Sequence, residues 1–204
     1  MKRGMTVAYE VDGGLYLNVT NRCTNACTFC IRNNGDGAYG SDTLWLEREP
    51  TVEEIISAAL AFDLGKYKEL VFCGYGEPTY RLYDCIEVVK ELKKKYPSLK
   101  VRINTNGHSS LIFGFDTAPL YEGIFDAVSI SLNTPSAEKY KEICRPVLNN
   151  SFEAMLEFAK NVKNYVHYTC LSVVKETLTD KELSLCEEIA RDCGVPLKVR
   201  TLIT

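Results

Sequence analysis

Six short β-rich runs alternate with longer stretches of helical period along this chain, and that alternation points to a parallel sheet with helical crossovers. The runs are Gly14 to Thr20, Glu69 to Cys73, Lys100 to Thr105, Ala127 to Asn133, Val166 to Val174 and Leu197 to Ile203. Helical period predicts helices over Thr51 to Phe62, Leu82 to Lys95, Ser136 to Ile143 with Phe152 to Asn164, and Asp180 to Cys193, while His108 to Phe125 reads as a short or irregular crossover. Thr51 and Thr179 stand where N-caps belong, ahead of acidic residues, and Gly194 with Pro196 closes the last helix.

Parity within the runs narrows the choice further. Leu15, Leu17 and Val19 share one face and leave Tyr16, Asn18 and Thr20 on the other. Val101 and Ile103 alternate with Arg102, Asn104 and Asn106, Val128, Ile130 and Leu132 with Ser129, Ser131 and Asn133, and Leu197 and Val199 with Lys198 and Arg200. A flat sheet covered on both sides carries apolar residues on both faces. A repeated polar face instead predicts a sheet curled around a wet cavity with helices outside. The expected fold is therefore α/β, an incomplete (βα)6 TIM-like barrel with its chemistry at the carboxyl ends of the strands. Asn18, Lys198 and Arg200 on the inner face are candidate substrate contacts, the two cations for an anionic group.

The 204 residues, 46% hydrophobic and 25% charged, suffice for one core, so a single domain over 1–204 is expected. Met1 to Glu10 has no apolar run, and no stretch approaches the roughly 18 apolar residues of a membrane span, which predicts a cytoplasmic protein without membrane partners. A net charge of -3 gives no general attraction to phosphate backbones, which argues against nucleic acid. Nine cysteines in such a chain make metal binding the first suspect. Cys73, Cys85, Cys144, Cys170, Cys186 and Cys193 lie in periodic apolar segments and read as small buried hydrophobes.

The other three form Cys23-Thr24-Asn25-Ala26-Cys27-Thr28-Phe29-Cys30, directly after the first run. This spacing lets one loop wrap a compact cubic cluster. Four irons with three thiolates leave one iron without a protein ligand, the open position of a catalytic site. A zinc knot or an electron-transfer cluster would want a fourth ligand nearby, and the loop supplies none; the two histidines are His108 and His167.

Cys23, Cys27, Phe29 and Cys30 match the Cys-x-x-x-Cys-x-aromatic-Cys motif of the radical S-adenosylmethionine superfamily, which this chain resembles along nearly its whole length. The resemblance implies a [4Fe-4S] cluster on the three thiolates, with S-adenosylmethionine chelating the fourth iron and Phe29 near its adenine. Gly74-Tyr75-Gly76-Glu77-Pro78 resembles the family's Gly-Gly-Glu-Pro segment, which binds the methionine amino group. The extra residue leaves open whether Gly74 or Gly76 makes that contact. Asn104-Thr105-Asn106-Gly107 resembles the family's Thr-Asn-Gly strand end, and Ser129-Ile130-Ser131-Leu132-Asn133 resembles the strand that reaches the ribose and the methionine carboxylate. Arg145 is either a partner of that carboxylate or a charge at a helix C-terminus.

By this resemblance the chain is an enzyme that cleaves S-adenosylmethionine to a 5'-deoxyadenosyl radical acting on an unidentified small molecule or peptide. It would take electrons from a donor such as flavodoxin or ferredoxin. Its length and its Gly-Tyr-Gly-Glu-Pro resemble the small TatD-associated radical SAM group. The alternatives are a glycyl-radical activating enzyme, an RNA-modifying relative, and a non-catalytic iron-sulfur or zinc module. The segment Ile31 to Glu49, with Tyr39 and Trp45, reads as a lid, a partner-binding flap, or plain surface.

Overall fold

The computed structural model describes residues 2–202. Ile203, the expected end of the last strand, and the extremes of the expected 1–204 domain lie outside the described residues. The chain divides into two compact units: Met1–Cys23, Ile31–Asn104 and Ile124–Asp126 form the first, and Thr24–Cys30, Thr105–Gly123 and Ala127–Thr204 the second.

The first unit opens with a strand that the βα reading missed. β1 (Ala8–Val11) pairs antiparallel with β2 (Gly14–Leu17), Val11 opposite Gly14. The two-residue turn has Asp12 at φ 48° and Gly13 at φ 82°. Asp-Gly suits this left-handed turn, whose twist matches that of the strands it joins. β2 then runs parallel to β3 (Leu70–Phe72), and β3 to β4 (Val101–Thr105), whose last residue belongs to the second unit. α1 (Val52–Leu60) starts from a capping box: Thr51 Oγ1 accepts from Glu54 N–H at 3.2 Å and Glu54 Oε2 accepts from Thr51 N–H at 2.8 Å. α1 packs on α2 (Leu82–Lys95), and Ile55, Ala59, Cys85, Val88 and Val89 are fully buried with Leu15, Leu17, Leu70, Val71 and Phe72.

In the second unit β5 (Ala127–Ser131), β6 (Tyr168–Val174) and β7 (Leu197–Arg200) run parallel, with Ser131 opposite Ser172 and Val174 opposite Arg200. The crossover before β5 is irregular as expected: α3 (Ser109–Phe113) and a 3-10 turn at Ala118–Tyr121. α4 (Ala137–Ile143), α5 (Ser151–Val162) and α6 (Asp180–Cys193) complete the unit, and Lys139 of α4 pairs with Glu182 of α6. Thr179 and Glu182 form a second capping box, and Gly194 ends α6 in the left-handed conformation. The chain as a whole is α/β with mostly parallel strands.

The expected parity holds on three strands. Leu15 and Leu17, Val101 and Ile103, and Val128 and Ile130 are buried, whereas Tyr16, Arg102, Asn104 and Ser131 are half-buried; Ser129, on the polar face of β5, is buried as well. β7 keeps this facing, with Val199 opposite buried Val173 and Arg200 bonded to the Ser131 and Ser172 hydroxyls of the polar face, but not the expected burial: Val199 is 44% exposed. Among the described residues β7 is last in strand order and pairs with β6 alone, so its apolar face is less covered than that of the inner strands, where Val173 is fully buried. Cys73 also departs from expectation, being half-buried where the other five scattered cysteines are buried.

Ile130→Ala should therefore lower unfolding free energy by about 2–5 kcal/mol, the range for emptying a packed core site. Val199→Ala should change it by no more than about 0.5 kcal/mol, as at exposed positions. Urea midpoints of both variants check the assignment.

Candidate functional site

In the first unit the strand end at β2 is organised around one buried amide. Asn18, fully buried, donates to Leu44 O at 2.8 Å and Thr6 O at 3.2 Å, and its carbonyl accepts from Tyr75 N–H at 3.4 Å. A Cβ on Gly74 would stand 2.1 Å from Asn18 Oδ1, and one on Gly76 2.2 Å from Thr20 O and 2.7 Å from Arg22 O. Both glycines are thus required by the close approach of the 74–76 backbone to residues 18–22, the stretch that leads into Cys23. Glu77 N–H donates to Arg22 O at 2.7 Å. The Glu77 carboxylate is buried and caps the next turn, accepting from Thr79 N–H at 3.1 Å and Thr79 Oγ1 at 2.7 Å. Tyr75 points the other way. Its hydroxyl donates to the carbonyls of Gly37 (2.8 Å) and Gly35 (3.1 Å), and its ring meets Trp45 edge-on at 5.3 Å, so the 31–49 segment is pinned to it.

On the polar side of the same unit, Arg102 grips Glu69 with two nitrogens, at 2.9 and 2.7 Å. It also donates to the Tyr16 hydroxyl at 3.2 Å and to Asn104 Oδ1 at 2.5 Å, which fixes the Asn104 amide. Neither Arg102 nor Glu69 was picked out from the sequence. Their positions on the polar face of adjacent strands were the available signal.

In the second unit, residues 24–30 run beside the chain that leaves α4. Ala26 N–H donates to Cys144 O at 3.0 Å, Thr28 N–H to Ile143 O at 2.9 Å, and Val147 N–H to Thr24 O at 2.9 Å. Thr24 and Asn25 turn inward and are buried, while Cys27, Phe29 and Cys30 are half-buried. Asn106, buried, donates to Thr24 Oγ1 at 2.6 Å and accepts from His108 N–H at 3.1 Å. Asn133, buried at φ 62°, donates to Cys144 Sγ at 3.6 Å. Arg145 is exposed, and its Nε donates to Glu142 O at 3.4 Å in the last turn of α4, the geometry of a helix-terminal charge. Arg200 reaches back to Ser172 Oγ at 2.8 Å and Ser131 Oγ at 3.5 Å, with its buried Nε left without a partner among the described residues.

The Radical SAM superfamily profile matches residues 17–189. The chain belongs to the radical SAM superfamily. Among curated relatives, the GTP 3',8-cyclase of Lactiplantibacillus plantarum is 31% identical over 129 residues, 63% of this chain and 36% of that protein. The GTP 3',8-cyclase of Clostridium perfringens strain 13 is 24% identical over 191 residues, 94% of this chain and 54% of that one. The chain therefore spans between about a third and a half of these radical SAM relatives. Among solved structures, TYW1 with a lysine-pyruvate adduct bound has a TM-score of 0.63 at 16% identity, covering 93% of this chain and 65% of that one. Native anSMEcpe with bound AdoMet has a TM-score of 0.56 at 20% identity, covering 92% and 50%. These likenesses show the fold, the incomplete TIM-like barrel of radical SAM proteins.

Members of the superfamily use a [4Fe-4S] cluster and S-adenosylmethionine. The donor set here fits such a cluster. Cys23, Cys27 and Cys30 are three thiols in one short loop, each partly accessible. Among the described residues no three His, Cys, Asp or Glu side chains converge as they would on a single metal ion. A cubic cluster makes no such demand, because each thiolate takes a separate iron. The buried thiols are poor competitors: burial pushes Cys186 up to about 12 and Cys85 well above its ordinary value, so both stay protonated near neutral pH.

Cys23→Ala, Cys27→Ala and Cys30→Ala should each abolish iron incorporation, whereas Cys85→Ala and Cys186→Ala should leave iron content unchanged by colorimetric assay. A second expectation concerns pH. Burial depresses His108 to about 4 from its ordinary 6.5, opposed only in part by a backbone hydrogen bond at Ser151. Between those values the unfolded chain binds a proton that the folded chain does not, so stability should fall as pH drops through that window. His108→Gln should remove that contribution to the slope in pH-dependent urea unfolding.

Proposed function

We propose that this protein is a cytoplasmic radical S-adenosylmethionine enzyme in which Cys23, Cys27 and Cys30 hold a [4Fe-4S] cluster and the substrate carries an anionic group. The observation that supports it most directly is the loop of three partly accessible thiols within a chain matched by the superfamily over residues 17–189. When bound and reduced by a donor such as flavodoxin or ferredoxin, the cluster supplies the electron that cleaves S-adenosylmethionine to a 5'-deoxyadenosyl radical.

The residues of this chain do the holding. Gly74 and Gly76 let the 74–76 backbone lie against residues 18–22, so that its carbonyls are available to the methionine end of S-adenosylmethionine, and the buried Glu77 carboxylate caps the turn that follows. Phe29 offers a half-buried ring to the adenine. Asn104, Ser131 and Asn133 present polar groups near strand ends, with Asn104 held by Arg102 and Asn133 by its left-handed backbone. Asn18, Tyr75 and Asn106 act behind these groups, since their polar atoms bond other parts of the chain. Arg145, at the end of α4, is an outer candidate for the methionine carboxylate.

Arg200 supports the anionic substrate. A guanidinium that, among the described residues, has one buried unpartnered N–H and only serine hydroxyls as partners is costly to desolvate unless an anion arrives. The relatives named GTP 3',8-cyclase are named for a nucleoside triphosphate, which has that chemistry. Lys198, exposed beside it in sequence, extends the positive charge outward. No helix among the described residues is long and apolar enough to cross a membrane.

Anaerobic reconstitution should give about four irons per chain and, with dithionite, release 5'-deoxyadenosine from S-adenosylmethionine. Iron without that release would favour a non-catalytic iron-sulfur module. GTP titrated by calorimetry is the first anionic probe, and Arg200→Gln should weaken it about tenfold, a charged hydrogen bond's worth, while leaving S-adenosylmethionine affinity unchanged.

A further inference from the structure

The cysteine loop is held from behind by a set of linked side chains, two of which, His108 and Tyr140, the cofactor reading does not use. His108 is fully buried, with Nδ1 2.9 Å from Thr24 Oγ1 and Nε2 3.1 Å from the Tyr140 hydroxyl. Asn25, the next residue of the loop, donates to that same Tyr140 hydroxyl at 2.9 Å. Asn106 closes the set by donating to Thr24 Oγ1 and accepting from the His108 backbone. Two rings result, one through Asn106, Thr24 and His108, the other through Thr24, His108, Tyr140 and Asn25. Both rings end on the first two residues after Cys23, and both share one imidazole.

The chemistry suits a rigid support. Thr24 and Asn25 lie between Cys23 and Cys27, so their orientation decides where both thiols emerge. Tyr140 is carried by α4, and α4 also supplies, at its end, the carbonyl of Ile143 that receives Thr28 N–H. The ring contact of His108 with Tyr140, edge-on at 6.0 Å, leaves little freedom for either to rotate. A buried network whose imidazole is engaged at both nitrogens defines one arrangement, because turning the ring would leave the Thr24 and Tyr140 hydroxyls without that partner.

We propose that His108 and Tyr140 are positioning residues for the cluster: acting through Thr24 and Asn25, they fix the path of the cysteine loop and so the hold on the iron. This rests on the cluster assignment above. Both residues act through the loop, His108 on Thr24 and Tyr140 on Asn25.

The test compares Thr24→Val, Thr24→Ser, Tyr140→Phe and His108→Gln, each reconstituted anaerobically. Transfer of iron to a ferrous chelator should be about fivefold faster in Thr24→Val and in Tyr140→Phe, the effect of one lost hydrogen bond. Thr24→Ser keeps the hydroxyl and should release iron at the wild-type rate. The reduced-cluster resonance should broaden in T24V and in Y140F but not in T24S. Combining T24V with Y140F should accelerate release less than the product of the single effects, because both act through one imidazole. Wild-type release rates and an unchanged resonance in T24V, Y140F and H108Q would overturn the proposal. So would equal losses in T24S and T24V, since packing of the methyl rather than the hydroxyl would then be responsible. A wild-type protein that takes up no iron would instead sink the cluster assignment itself.

Discussion

Parallel strands end with backbone groups that the ladder no longer pairs, and in a buried strand end every such group must find another partner. At β2 the ladder stops at Leu17, and the Asn18 amide takes over. With one side chain it ties the strand end to Thr6, to Leu44 and to Tyr75. A residue of this length and dual polarity lets the strand end hold both the 31–49 segment, at Leu44, and the glycine turn after β3, at Tyr75. The two glycines follow from that packing, because the space a Cβ would need is already filled by Asn18 and by the carbonyls of residues 20–22. The second unit meets the same requirement at the end of β4 with Asn106, whose amide is engaged at both ends.

Much of this was legible in the sequence where the signal is local. Thr51 with Glu54 and Thr179 with Glu182 announce helix starts three residues apart, and both form capping boxes. Leu15, Ile103 and Ile130 are placed by a period of two, and the cysteine loop by spacing within eight residues. β1 was missed although Val7, Tyr9 and Val11 alternate and Asp12-Gly13 is a hairpin signal; a uniform βα order leaves no place for a single antiparallel strand. On β7 the alternation and its facing hold, Val199 lying opposite Val173, but the expected burial of Val199 does not, since an edge strand has a neighbour on one side only.

The buried polar sets were illegible for a different reason. Thr24 and His108 are 84 residues apart, and Asn25 and Tyr140 are 115 apart. No local period connects them, and each taken singly has an ordinary explanation: a loop threonine, a loop asparagine, a core histidine, a tyrosine on an amphipathic helix. His108 enters the sequence reading as the start of a crossover and as a histidine outside the cysteine loop, not as its support. Its distance in sequence is what makes it useful as a support, since it fixes the loop from an element that does not itself need to move.

The same contrast separates the two kinds of polar residue on the strands. Arg102 satisfies its charge inside the protein, with Glu69 bidentate and Tyr16 and Asn104 as further acceptors. It is complete, and its effect is to hold Asn104 still. Arg200 has the same side chain on the same kind of strand but, among the described residues, bonds through it to the hydroxyls of Ser172 and Ser131 alone. A hydroxyl orients a guanidinium without neutralising it, whereas a carboxylate does both. One arginine is therefore part of the scaffold, and the other has no carboxylate partner among the described residues, the feature on which the proposed anion site rests.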